Sequence, residues 1–144
     1  MEDMSEKILV AAGWYPNRNI CLVKIRFCLY TNGLQMPSKV KAFLKEFGKL
    51  FVYSDSNTDR ELIHFDPCKA LREVDVSWVK EYSLRIGCEE LCAIGQADKG
   101  YTIICMDEKG NFYLGYDDLL YFISGDIRDF IHKVYSNVKG TEIP

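Results

Sequence analysis

The sequence predicts a single α+β domain, with a central antiparallel sheet of about five or six strands. Three observations support this prediction. The 144 residues suit one domain that can bury a sizeable core. Apolar residues make up 48% and charged residues 27%, both typical of globular proteins. Helical periodicity comes first, strand-like segments follow and a helix closes the chain, an order that indicates α+β rather than parallel α/β. The whole chain, residues 1–144, is therefore expected to be one domain.

The N-terminal third predicts three helices. Ser5 is a suitable N-cap for the first, and Gly13 is suited to end it. Asn19 can cap the second, whose apolar residues recur at spacings of three and four and so predict one buried stripe. That stripe consists of Ile20, Val23, Phe27, Tyr30 and Leu34. Pro37 suits the first turn of the third helix, and Gly48 is suited to end it.

The middle of the chain predicts a hairpin and then further helix. Residues 50–53 and 61–65 read as strands, and the polar residues 54–59 as the loop between them. Asp66-Pro67 is a typical helix start, with the carboxylate as cap and proline at the first position. Residues 77–86 predict another helix, which a glycine ends.

The last third predicts more strands and a closing helix. The expected strands cover residues 91–97, 101–106 and 111–116. Turn-forming residues at 98–100 and 108–110 separate them. An apolar stripe at helical spacing predicts the closing helix over residues 126–138.

The charge of the chain is mildly acidic and unevenly distributed. The net charge is −3 and the pI about 5.4, whereas a nucleic-acid binder would lean basic, so no nucleic-acid partner is expected. Residues 1–72 hold 11 basic and 8 acidic residues, and residues 73–144 hold 7 basic and 13 acidic residues. This division predicts an acidic face in the C-terminal half for a basic partner.

Six cysteines could form disulfides only in an oxidising compartment. The first residues lack a basic region followed by an apolar core, so no signal peptide is expected. No apolar run is long enough for a transmembrane helix, so no membrane association is expected. The cysteines are therefore interpreted as reduced, mostly buried thiols in a cytoplasmic protein.

The sequence contains no convincing metal or cofactor site. Cys88 and Cys92 have a suitable spacing for a helix, but the preceding helix is expected to end before them. The only histidines, His64 and His132, belong to unrelated elements, with His64 expected on the solvent side of a strand. A structural zinc site needs four ligands in short paired spacings. No metal and no cofactor are predicted.

Catalytic motifs are absent as well, so no catalytic residue is assigned and no enzyme activity is expected. Nothing matches a phosphate-binding loop or a nucleophile elbow. Two acidic pairs, Glu89-Glu90 and Asp117-Asp118, lie near strand ends, where adjacent carboxylates are usually just solvated. A small hydrolase that uses a Cys–His pair or two carboxylates remains an alternative, because such groups meet only in space.

The composition favours recognition of another protein. Aromatic residues make up 13% of the chain, and several crowd the segment around Asp117-Asp118. These aromatic residues are Tyr113, Tyr116, Tyr121 and Phe122. Tyrosine buries apolar area and keeps a polar tip, which suits an interface, although most aromatic side chains pack in a core.

Several motifs in collinear order resemble the SUKH superfamily, specifically its third subgroup, from about residue 5 to residue 138. The most specific is Ala12-Gly13-Trp14-Tyr15-Pro16-Asn17-Arg18. The others are Phe43-Leu44-Lys45-Glu46-Phe47-Gly48-Lys49-Leu50, His64-Phe65-Asp66-Pro67, Ile86-Gly87, Ile94-Gly95-Gln96 and Met106-Asp107-Glu108-Lys109-Gly110-Asn111-Phe112-Tyr113. The resemblance implies helices packed on an antiparallel sheet and no catalytic set.

The resemblance also implies a function. Members serve as immunity proteins that bind bacterial polymorphic toxins, often nucleases or deaminases, so a cognate and basic toxin is the expected partner. The superfamily includes the yeast cell-wall and glucan-synthesis regulator, which leaves a regulatory adaptor as an alternative. The family tends to have Pro-Ile-Gly-Glu where this chain has Ala93-Ile94-Gly95-Gln96, so no role is carried over for that glutamate.

Seven residues form the predicted partner-binding set: Trp14, Arg18, Glu89, Glu90, Tyr116, Asp117 and Asp118. Trp14 and Arg18 match the family motif and are expected mainly to lock the first turn against the sheet. Tryptophan and arginine are also residue types favoured at binding hot spots. The oligomeric state does not follow from the sequence.

Overall fold

The computed structural model describes residues 4–54, 57–97, 101–138 and 140–144, which contain six helices and seven strands. The helices are α1 (Met4–Ala11), α2 (Val23–Thr31), α3 (Ser38–Phe47), α4 (Pro67–Glu73), α5 (Val76–Ile86) and α6 (Ile127–Tyr135). The strands are β1 (Phe51–Ser54), β2 (Asn57–His64), β3 (Leu91–Ala97), β4 (Thr102–Asp107), β5 (Phe112–Tyr116), β6 (Leu119–Ser124) and β7 (Thr141–Glu142). All seven form one antiparallel sheet in sequential order. The predicted α+β class is confirmed, with slightly more strands than expected.

The predicted starts of the helices are correct where a side chain caps the backbone. The Asp66 carboxylate accepts hydrogen bonds from the amides of Cys68 and Lys69 at the start of α4. The Asp75 carboxylate accepts the amide of Ser77, so α5 begins slightly before the predicted residue. Such caps satisfy amides that have no partner within the helix.

The predicted caps of α1 and α2 are wrong. Ser5 lies inside α1, and its buried hydroxyl donates to the Arg128 carbonyl of α6 at 2.6 Å, so it joins two helices. Asn19 precedes α2 by several residues, because that helix begins at Val23 after Leu22, which offers no side-chain cap. A residue type that often caps helices, such as Ser5, can thus form a tertiary hydrogen bond instead.

Strand β3 is the centre of the fold. All seven of its residues are buried, and α3, α4 and α5 contact it. Gly95 lies in a bulge of this strand, where a Cβ would collide with the His64 carbonyl oxygen. A glycine is required there because the backbone leaving β2 passes directly over it.

An aromatic cluster joins the helices to the sheet. The Phe43 ring of α3 contacts Phe65 and Phe112, with centroid separations of 5.1 and 5.3 Å. Phe112 in turn stacks on Phe130 of α6 at 4.8 Å. Such pairs stabilise a core by about 0.5–1.5 kcal/mol each beyond their buried area. The closing helix therefore packs on the sheet as predicted.

Strands β6 and β7 were not predicted, and β2 is longer than predicted. β6 contains the apolar run that follows Asp117-Asp118, and it pairs with β5 from Tyr116↔Leu119 to Phe112↔Ser124. The aromatic residues around Asp117-Asp118 suggested an interface from the sequence, yet all four lie in strands: Tyr113 and Tyr116 in β5, Tyr121 and Phe122 in β6. β2 begins at Asn57, inside the residues predicted as a loop. The predicted turn at residues 98–100 lies outside the described residues.

The buried stripe predicted for the second helix is largely wrong. Val23, Phe27 and Tyr30 are 71%, 67% and 79% exposed. The residues of α2 and its cap that enter the core are Leu22, Ile25 and Leu29. The helix is thus apolar on two faces, and packing buries the one that the spacing did not favour.

Two further predictions are corrected by the structure. Cys28 of α2 and Cys68 of α4 form a disulfide, so the expectation of six reduced thiols is wrong for this pair. His64 is 1% exposed rather than solvent-facing, because its ring lies against Phe51 and bonds to the Gln96 side chain of β3. No helix in the described ranges has the length and apolar character needed to cross a membrane.

Candidate protein-interaction surfaces

Trp14 and Arg18 fasten the turn after α1 to the end of α3. The indole Nε1–H of Trp14 donates to the Glu46 carboxylate at 2.8 Å, and its ring stacks on Phe47 with centroids 6.2 Å apart. The Arg18 guanidinium donates to the Glu46 carbonyl oxygen at 2.6 Å. Both side chains are half-buried. The expected locking of this turn is found, but against α3 and not against the sheet.

Tyr116, Asp117 and Asp118 lie together at the turn between β5 and β6, and all three are exposed. Asp117 has φ = 54°, a left-handed conformation that aspartate tolerates better than most residues. Two side chains of α5 hold the backbone of this turn. The Tyr82 hydroxyl donates to the Asp117 carbonyl at 2.6 Å, and the Arg85 guanidinium donates to the Asp118 carbonyl at 2.7 Å. Both carboxylates therefore remain available to a partner.

Tyr82 is deeply packed although its hydroxyl reaches this turn. Its ring lies against Gly115 of β5, where any Cβ would collide with it. Burial raises the pKa of the Tyr82 hydroxyl above its usual value, so the group stays neutral and donates its hydrogen bond. The turn is thereby held rigidly on the sheet.

An apolar groove adjoins the same turn. It lies between the outer strands and the end of α6, has a volume of about 200 Å³, and is lined mainly by large side chains. The main apolar lining residues are Leu114, Tyr116, Leu119, Tyr121, Val134 and Val138. Tyr116 and Leu119 are 49% and 41% exposed. We name Tyr116, Asp117, Asp118 and this groove the acidic–aromatic surface.

Glu89 and Glu90 lie elsewhere. Their backbone amides donate to the Glu108 carboxylate at 2.9 and 3.1 Å, just before β3 begins. This is the end of the sheet where Leu91 pairs with Asp107, whereas Tyr116 ends β5 on the opposite side. Four strand residues or more separate the two ends, roughly 13 Å. The structure does not bring the two acidic pairs together.

The buried Asp107 organises the turn between β4 and β5, a role that the sequence analysis missed. Its carboxylate accepts hydrogen bonds from the amides of Lys109 and Asn111, the Asn111 side chain and the Tyr113 hydroxyl, all at 2.9–3.0 Å. Burial raises the pKa of the Tyr113 hydroxyl. The Asp-x-x-Gly-Asn spacing is typical of such a turn and could have revealed it.

The two buried free thiols, Cys92 and Cys105, are poorly suited to act as nucleophiles. Burial raises the pKa of the Cys92 thiol to about 12 and also raises that of Cys105, so both stay un-ionised and weakly nucleophilic. His64 accepts the Asp66 amide at Nδ1 and donates from Nε2 to Gln96 at 2.7 Å. In the described ranges, no three His, Cys, Asp or Glu side chains are grouped as a metal site would require.

Of three comparisons with known proteins, one finds a match. A search of curated proteins and a search of solved structures each find no match. The family model of the SUKH-3 immunity proteins matches residues 1–137, nearly the whole chain. The chain therefore belongs to the SUKH-3 family of immunity proteins.

Proposed function

We propose that this protein neutralises a bacterial toxin of the nuclease or deaminase type by binding it directly, without catalysis. Family membership supports an immunity function and a cognate toxin partner. The toxin partner is expected to be basic, because a surface that binds nucleic acid carries positive charge.

The acidic–aromatic surface is the observation that carries the proposal. The backbone carbonyls of Asp117 and Asp118 are bonded to α5, so the turn that presents their carboxylates is already ordered before binding. The groove beside them can take an apolar or arginine side chain of the toxin, and aromatic residues at such a site are typical anchors. Opposite charge accelerates the encounter and excludes wrong partners.

Inhibition would follow from occlusion. A domain that covers the basic substrate-binding face of a nuclease prevents nucleic acid from reaching it. We assign Tyr116, Asp117 and Asp118 to toxin contact. Trp14 and Arg18 already bond within the fold, so we assign them to holding the first turn. Glu89 and Glu90 lie at the other end of the strands, outside this contact.

The test is binding to the toxin domain encoded beside this gene, measured by calorimetry and by survival on co-expression. Asp117→Asn together with Asp118→Asn removes two charges and preserves the tolerated left-handed turn. We expect Kd to rise about tenfold or more at low salt, with a smaller effect at high salt. Tyr116→Ala should weaken binding independently of salt.

The matched control replaces two exposed carboxylates elsewhere, Glu73→Gln with Glu81→Gln, and should leave Kd within about twofold. Unchanged affinity in the Asp117/Asp118 variant would place the interface on another surface. Absence of both complex and protection would argue against immunity and favour the regulatory adaptor.

A further inference from the structure

The outer face of α2 is an exposed apolar stripe. Val23, Phe27 and Tyr30 follow one another along one side of the helix, each at least two-thirds exposed. The opposite side of α2 already enters the core through Ile25 and Leu29. A helix that is apolar on both sides is normally covered on both sides. Single exposed apolar residues need no explanation, but three on one helix face indicate an interaction site.

The two charged residues of α2 itself are both basic. Lys24 and Arg26, both exposed, lie on the two flanks of the stripe. Pairing this face with an identical face would bring like charges together. A complementary surface must therefore combine apolar area with carboxylates.

Such a surface adjoins the end of α2 on the same molecule. A groove of about 400 Å³ lies between the residues that follow α2 and helix α5. Gly33 and Leu34 form one wall, and Leu84, 84% exposed, stands on the other. Glu89 and Glu90 line its end.

One basic group also lines this groove, the Lys80 side chain, which lies against Gly33. The two glutamates outnumber it, so the groove carries a net negative charge. Glu89 is exposed and Glu90 half-buried, and it is their backbone amides that donate to Glu108.

We propose that two copies of this chain associate about a two-fold axis, with the α2 stripe of each copy in the α5 groove of the other. A stripe and its complementary groove side by side on one molecule form a self-complementary patch, which is what a two-fold dimer requires. Lys24 and Arg26 of one copy then face Glu89 and Glu90 of the other. Each contact occurs twice in the dimer.

The available area suits a dimer of moderate affinity. A large aromatic side chain buries roughly 150–250 Å², so Val23, Phe27, Tyr30 and Leu84 together offer on the order of 500 Å² per copy. The groove walls and flanking charges bring this towards the ~800 Å² per partner of a standard interface. A duplex nucleic acid would satisfy the charges of α2, but it would leave the apolar stripe unfilled, so we favour the second copy.

The disulfide supports the same assignment. Cys28 of α2 is linked to Cys68 of α4. The link fixes α2, a short helix that has no side-chain cap at its start. A helix held in its docking position loses less freedom when it binds. Reduction is therefore expected to weaken self-association as well as the fold.

Sedimentation equilibrium of the full chain tests the proposal. The wild-type chain should dimerise at micromolar concentrations, and Phe27→Ser with Tyr30→Ser should weaken the dimer at least tenfold. The matched control, Val10→Ser with Tyr101→Ser, removes two exposed apolar side chains elsewhere and should leave the dimer intact. A wild-type chain that stays monomeric up to about 0.5 mM would overturn the proposal. So would a monomer that binds a 20-base-pair DNA duplex through Lys24 and Arg26.

Charge exchange tests the specific pairing. Lys24→Glu with Arg26→Glu makes both stripe and groove acidic, and Glu89→Lys with Glu90→Lys makes both basic, so each variant alone should be monomeric. An equimolar mixture should restore the dimer, because both contacts in the mixed pair are again complementary. Failure of the mixture to dimerise, with circular dichroism showing both variants folded, would refute this pairing. Toxin binding by the monomeric variants tests the immunity function separately.

Discussion

Removal of the Asp107 carboxylate is expected to destabilise the domain by about 3–4 kcal/mol. Asp107→Ala deletes four accepted hydrogen bonds, and a bond to a charged acceptor contributes roughly 1.5–3 kcal/mol before any compensation. The donors on Lys109 and Asn111 can regain water, which limits their loss. The Tyr113 hydroxyl cannot do so as easily because its side chain is buried, so it accounts for the largest share.

A double-mutant cycle isolates that share. Tyr113→Phe alone should cost about 1 kcal/mol, since it removes one hydrogen bond and keeps the ring. In the Tyr113→Phe background, Asp107→Ala should cost about 1–2 kcal/mol less than in the wild type, because no hydroxyl is left without an acceptor. Urea denaturation followed by circular dichroism measures all four free energies of unfolding.

Asp118→Ala is the matched control, since its carboxylate is exposed at another sheet turn, and it should change stability by less than about 0.5 kcal/mol. The reasoning fails if Asp107→Ala costs no more than this control. It also fails if the two substitutions in the cycle are additive.

Three further predictions concern covalent linkage, packing and pH. Reduction of the Cys28–Cys68 disulfide, which joins residues 40 positions apart, should lower the free energy of unfolding by about 2–4 kcal/mol in urea titrations. Gly115→Ala should lower it by about 2–3 kcal/mol, because the added methyl collides with a buried tyrosine ring, and should reduce the melting temperature. Hydrogen bonds from Ser124 and then Lys133 lower the pKa of the Asp129 carboxyl, so the stability that it contributes is present above pH 4 and lost as pH falls further. Asp129→Asn should therefore reduce the acid sensitivity of unfolding in this range.

Each of these outcomes has a clear opposite. Equal stability with and without reductant would mean that the linkage does not constrain the unfolded chain. A neutral Gly115→Ala would mean that the Tyr82 ring can move aside. An unchanged slope of stability against pH in Asp129→Asn would show that another carboxylate governs the acid transition.

The sequence predicted most of the elements because their signals are local. At Asp66-Pro67 the strand conformation ends and helix α4 begins, because the Asp66 carboxylate caps the helix and the Pro67 ring favours its first turn. The start of α4 was therefore recognisable from these two residues alone. The left-handed Gly87 ended α5 for the same reason. β6 was missed because an apolar, aromatic run is compatible with a core strand or an interface, and only pairing with β5 distinguishes the two.

The candidate surface was predicted only in part. Tyr116, Asp117 and Asp118 are neighbours in sequence, so their proximity was certain, and their exposure depends on α5 holding the turn from beneath. Grouping them with Glu89 and Glu90 required knowledge of which strand ends coincide. The antiparallel register places these residues at opposite ends of the sheet.

The sequence by itself determined the α+β class, the order of its elements and, through collinear motifs, the SUKH-3 family. The tertiary structure alone decided which apolar side of α2 is buried, which cysteines meet and where the acidic pairs lie. The physical reason is that caps and turns act within a few residues. Which side of a helix is buried, and which strands or cysteines pair, depends instead on contacts with distant parts of the chain. The spacing of Val23, Phe27 and Tyr30 shows that they form a stripe, and only the packed core shows that this stripe stays exposed.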